Sequence, residues 1–177
     1  MTLTLKAPPT LPDGMSDRLL AEAGARGISN ALKRHFRARN DGSRHRERMP
    51  RSNYWAHVRN SVQTASEGGR AIVSIDHEGV ALHYFGGTVR PRQGKKALAI
   101  PLVAGVWDQN PREFDPSREK LVLVWPKGEK AGLLIDREKK QPTYLLVSKA
   151  THKADRTVLP PEESLVQAGL EAIYDSI

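Results

Sequence analysis

The sequence predicts an α+β protein: an antiparallel β-sheet packed by an N-terminal helix, a short second helix and a C-terminal helix. Three observations support this. Apolar residues recur at helical spacing near both ends of the chain. Between residues 70 and 149 the pattern changes to short aliphatic runs bounded by Gly, Pro and Asp. Most connections between those runs are short, as antiparallel neighbours require. A length of 177 residues fits one domain, residues 1–177.

The elements follow in order. Pro8, Pro9 and Pro12 block a helix, so residues 1–15 are expected to form an extended arm. Ser16 or Asp17 caps a helix running to about Phe36 or Arg39. Its stripe is Leu20, Ile28, Leu32 and Phe36, with Leu19, Ala23 and Ala31 beside it. Gly24 and Gly27 weaken that helix, each by roughly 0.5–1 kcal/mol relative to Ala. After the turn signal Asn40-Asp41-Gly42, Asn53 caps a second helix over about 54–65, with Tyr54, Trp55, Val58 and Val62 on its apolar face. Glu67-Gly68-Gly69 ends it.

Residues 71–75 and 80–85 read as strands across a turn at 76–79. A third strand, 97–103, is reached through the loop 86–96, and a loop over 107–120 follows. Residues 121–125 and 132–136 pair across 126–130, and 143–149 is the last long strand. After Leu159-Pro160-Pro161, acidic residues open a final helix with Leu165, Val166, Gly169, Leu170 and Ile173 on one face. Leu32, Phe36, Ile75, Leu123, Leu146 and Leu170 are expected to be buried, in the subunit or at a subunit interface.

Composition narrows the function. Hydrophobic residues are 38% of the chain, below the usual ~45–50% that also counts Gly, so much of the chain is polar and exposed. With no cysteine there is neither a disulfide nor a thiolate metal site, which suits synthesis in a reducing cytoplasm. No run approaches the ~20 apolar residues of a membrane helix. The start MTLTLKAPPTLPDG has no basic, continuously apolar segment, so no signal peptide is expected.

The net charge of +8 favours acidic partners. It is concentrated in two loops. Residues 37–51 hold six Arg against Asp41 and Glu47, a net of +4, and residues 86–98 hold Arg90, Arg92, Lys95 and Lys96 with no acid. Residues 160–177 carry Glu162, Glu163, Glu171 and Asp175 with no base, an asymmetry that suits head-to-tail contacts between copies.

Catalytic signatures are missing. The chain has no P-loop, no dinucleotide fingerprint, no H-E-x-x-H and no G-x-S-x-G. His77 and His83 could meet across the first hairpin, but packing of His83 at a sheet edge is the simpler expectation. No catalytic residue, metal ligand or cofactor site is assigned, and the protein is not expected to be an enzyme. The basic loop 37–52, with Arg37, Arg39, Arg44, Arg46, Arg48 and Arg51, is a candidate to face DNA or an acidic partner. Base-stacking aromatics are absent from the loop itself, which favours a solvated loop meeting an acidic neighbour.

One stretch carries a more specific pattern. His83-Tyr84-Phe85-Gly86-Gly87 leads into Thr88-Val89-Arg90-Pro91, then into Lys96-Ala97-Leu98-Ala99-Ile100-Pro101. Further on stand Tyr144-Leu145-Leu146-Val147 and Leu159-Pro160-Pro161. This order resembles the virion morphogenesis, or tail-completion, proteins of tailed bacteriophages. The resemblance spans most of residues 17–175, is most specific over 83–101, and does not extend to the loop 107–120.

The resemblance implies a structural virion protein, made in the host cytoplasm, that assembles as a homo-oligomeric, expectedly hexameric, ring at the head-proximal end of the tail. Such a tail terminator ends the tube and joins it to the head connector or neck. Its partners would be itself, the tail tube protein, the neck proteins and transiting DNA, with no membrane and no cofactor. Gly86, Gly87, Arg90, Arg92, Lys95 and Lys96 would form an assembly or lumen loop, projecting as a hairpin tip. The alternative from composition is a monomeric basic nucleic-acid-binding module.

Overall fold

A computed structural model describes residues 2–4, 17–42, 53–67, 70–92, 94–107 and 109–176. The fold is α+β, and every strand pair is antiparallel. In chain order the elements are β1 (Thr2–Thr4), α1 (Asp17–Asp41), α2 (Tyr54–Asn60), β2 (Val62–Glu67), β3 (Arg70–Ile75), α3 (Glu78–Phe85), β4 (Gly87–Val89) and β5 (Leu98–Pro101). There follow a 3-10 turn (Ala104–Val106), α4 (Pro111–Phe114), β6 (Leu121–Val124), β7 (Ala131–Asp136), β8 (Gln141–Val147), β9 (Ala150–His152), a second 3-10 turn (Arg156–Val158) and α5 (Glu162–Tyr174). The strands form three sheets rather than the single sheet expected. Of the arm 1–15, Thr2–Thr4 is a strand and the rest, like Ser16, lies outside the described residues.

The described residues divide into two compact units, one from 2–4, 17–42, 53–86 and 153–176, the other from 87–152. In the first, the four-residue spacing along α1 turns Ile28, Leu32 and Phe36 inward against Val58, Val73, Val158 and Leu165. The sheet has the order β1-β3-β2, so β3 is central, with Ala71 and Val73 buried. Leu20 and Ala23 of α1 meet Ile173 of α5 in a smaller cluster. The glycines of α1 have a packing reason. A Cβ on Gly27 would overlap the Ala168 carbonyl oxygen and come within 2.7 Å of the Ala172 Cβ. The backbone at Gly27 therefore lies against α5, offsetting the helix propensity lost.

Two expectations fail in this unit. The second helix stops at Asn60, and residues 62–67 are a strand paired with β3, Val62 opposite Ile75 through Glu67 opposite Arg70. Ser61 closes the helix: its Oγ donates to the Val58 carbonyl at 2.8 Å. Beyond it, β-branched Val62 and Thr64 fit a strand. Residues 80–85, read as a strand, lie in helix α3. The His77 ring nitrogen accepts from the Gly79 N–H (3.3 Å), and Gly86 follows the last turn at φ 73. A six-residue apolar run fits either period, and here the cap and the glycine stop favour the helix.

The second unit holds a four-stranded sheet of order β5-β8-β7-β6 and a two-stranded ribbon of β4 and β9. The β7–β8 register shifts between Leu134 and Ile135, which admits Pro142 into an otherwise central strand. Tyr144 is fully buried, donates from its hydroxyl to the Gln109 carbonyl (3.1 Å) and meets Phe114 edge-on. Of the six residues expected to be buried, Leu32 and Phe36 are, while Ile75, Leu146 and Leu170 are half-buried. Leu123 is not buried within the subunit: it is 58% exposed on β6, which is an edge strand of its sheet among the described residues. The aliphatic run could not reveal this, because exposure depends on what covers the outer face.

Candidate functional site

The segment most specific in the sequence does not form a hairpin tip. Gly86 and Gly87 adopt φ 73 and 155, conformations open to glycine. They send the chain from α3 into β4, whose partner is β9: Gly87 opposite His152, Thr88 opposite Thr151, Val89 opposite Ala150. The expected pairing of 80–85 with 97–103 is thereby replaced, since 80–85 is helical and β5 pairs with β8. Past Pro91, the Lys95 N–H donates to the Arg92 carbonyl (3.0 Å) and closes a turn with Gly94 at φ 84.

This segment walls a cleft of about 1150 Å³ in the second unit. Arg90, Arg92, Lys95 and Lys96 line it, joined by Arg112 from α4. All five are exposed, and none makes an ion pair among the described residues. Among the described residues the acid in the lining is Glu113, and it is tied to the backbone: its Oε2 accepts from the Asn110 N–H at 2.9 Å. Asn110 Oδ1 in turn accepts from the N–H groups of Arg112 (3.0 Å) and Glu113 (3.2 Å), completing a capping box that fixes α4. The remaining lining is largely apolar, including half-buried Leu98, Trp107 and Leu146. Arg112 escaped the sequence reading, yet Asn110-Pro111-Arg112-Glu113 carries a helix-start signature that would have placed it.

The other basic candidates separate. Arg37 is exposed on α1, which continues through Asp41, so the start of the expected loop is helical. Arg39 is engaged within its own unit. It donates to the Thr157 carbonyl (2.7 Å) and hydroxyl (2.9 Å), pairs with Asp155 (2.8 Å) and stacks on Trp55 at 4.6 Å. Hydrogen bonds from Thr157 and Arg39 pull the Asp155 carboxyl down to about 2. Arg44, Arg46, Arg48 and Arg51 lie outside the described residues.

The histidines do not form a cross-hairpin pair. His77 caps α3, while His83 packs against Tyr54 and Trp55 at ring separations of 5.0 and 5.6 Å. Among the described residues, no group of three His, Cys, Asp or Glu side chains could hold a metal ion, and no helix is long and apolar enough to cross a membrane. The chain matches no family model, and no curated protein or solved structure gives a significant match to it.

Proposed function

We propose that this protein is a structural component of a tailed-phage particle, a tail-completion subunit that assembles as a ring at the head-proximal end of the tail. There it ends the tube and joins it to the neck. The tail assignment rests on the motif resemblance over residues 83–101. The observation that carries assembly is the edge of the four-stranded sheet: Leu123, Val124 and Trp125 are 58%, 38% and 50% exposed on and just beyond β6. Among the described residues nothing pairs with the outer edge of β6, and an edge strand with successive large apolar residues is a surface that soluble proteins ordinarily cover or break with charge. Covering it with another virion subunit accounts for both its exposure and its composition.

Native mass spectrometry and negative-stain microscopy of the purified chain test this. Discrete rings are the expected result, and a monomer at every concentration overturns the proposal. The basic cleft favours a second reading, a monomeric nucleic-acid-binding module. That reading predicts a monomer that retards labelled DNA with steep salt dependence.

A further inference from the structure

The outer face of α5 is acidic, and among the described residues no basic side chain pairs with it. Glu163, Gln167, Glu171 and Tyr174 follow at steps of four, four and three, which places them on one stripe. All four are exposed, Tyr174 at 72%. The opposite face, Leu165, Gly169 and Ile173, is buried. Glu162 and Asp175 flank the stripe, and α5 contains no Lys or Arg. Among the described residues no cation pairs with these acids; the polar contact along the stripe is Gln167 donating to Glu171 at 3.0 Å.

The cleft of the second unit has the complementary character. Five cations, without an ion pair among the described residues, surround an apolar lining in a volume of about 1150 Å³. The three turns from Glu163 to Tyr174, ~10 Å across and ~17 Å long, would fill on the order of 1300 Å³, so the open cleft takes one face of such a helix and leaves the other outside. A bare phosphate backbone would gain from the cations but would leave the Leu98, Trp107 and Leu146 surface without an apolar partner. A helix that carries carboxylates and an exposed tyrosine meets both features, and tyrosine is enriched at the centres of protein interfaces.

We infer that copies of this chain dock head to tail, with the acidic stripe of α5 in one copy seated in the basic cleft of the next. The inference rests on the ring reading above and names its contact. Two different surfaces make the contact, so it is heterologous: repeated, it closes a ring if the rotation per copy allows and otherwise builds a filament. Opposite charges also steer the encounter and set its register.

Two charge reversals test it, Arg90→Glu/Arg92→Glu/Lys95→Glu/Lys96→Glu in the cleft and Glu163→Lys/Glu171→Lys on α5, with circular dichroism confirming that each folds. Each alone should lower the assembled fraction at least tenfold in native mass spectra. Mixing the two should restore assembly as strictly alternating, even-numbered oligomers. Every neighbouring pair in the mixture joins a native surface to a native one, or a reversed surface to a reversed one. Wild-type rings with both variants assembling normally overturn the contact and leave the ring reading standing. A monomeric wild type overturns both. If the α5 variant assembles normally while the cleft variant alone loses binding to labelled DNA, the occupant is nucleic acid and the inference falls.

Discussion

Around α1, buried side chains from α2, α3, α5 and the sheet of β2 and β3 form one cluster, with Phe36 and Val58 at 0% exposure. In the sheet of β5, β8, β7 and β6 the aliphatic residues Leu133, Leu134, Leu145 and Leu146 stay half-buried. There the buried groups include polar ones, Asp115, Asp136 and Thr143, alongside Val106 and Tyr144. Asp115 accepts from the Leu121 N–H (2.8 Å), the Glu119 N–H (3.1 Å) and the Ser117 hydroxyl (3.3 Å), fixing the approach to β6. Burial raises its pKa, but these hydrogen bonds outweigh it and the carboxyl lies below its usual range. A chain short of apolar residues has thus placed most of its core in one unit and used directed hydrogen bonds in the other. The unit fastened by hydrogen bonds keeps apolar and cationic surface outside, at the β6 edge and the basic cleft.

The comparison can be broken by mutation. Phe36→Ala should have the largest effect, ~3–5 kcal/mol in urea denaturation, because it empties the centre of the first core. A loss below ~1 kcal/mol would mean that this core is not continuous. Gly27→Val should cost about 3 kcal/mol by the same measurement, since the obstructing Ala168 carbonyl is backbone and cannot rotate away. Asp115→Ala should cost ~1–3 kcal/mol by leaving the part-buried Glu119 and Leu121 N–H groups without their acceptor. Hydrogen exchange should then speed up at the Glu119 and Leu121 amides while α1 is unaffected.

The Asp155–Arg39 pair sharpens the comparison through pH. The folded carboxyl titrates at about 2, below its ordinary 3.8. Folding therefore favours the ionised form. Its contribution is complete above the unfolded value and is lost as pH falls from about 4 to 2. Thermal melts across that window should show a small slope that Asp155→Asn reduces, small because the pair is partly exposed. The least effect on stability belongs to Arg90, Arg92, Lys95 and Lys96 replaced together by Ser. The melting temperature should barely move while ring assembly or tail joining is lost; a variant that fails to fold would show that these side chains support the sheet.

Much of the candidate site was legible in the sequence and its geometry was not. Arg90, Arg92, Lys95 and Lys96 stand out as an acid-free basic run, and they do line one cleft. The apolar lining was hidden, because Trp107 and Leu146 come from segments 11 and 50 residues beyond Lys96. Arg39 shows the reverse error: composition placed it in an open basic loop, and tertiary contacts with Asp155, Thr157 and Trp55 engage it.

The sequence by itself determined the features written in local patterns. These are the extent and buried stripes of α1 and α5, the runs that become β6, β7 and β8, and the separation of basic from acidic segments. Helix faces and caps are set by residues three or four apart, so a single stretch of chain specifies them. Only the tertiary structure decided that 80–85 coils, that 62–67 extends beside β3, that 87–89 pairs with 150–152 and that Leu123 faces outward. Each of those depends on a partner distant in sequence or on the lack of one. Apolar runs of six residues or fewer satisfy either period until that partner arrives.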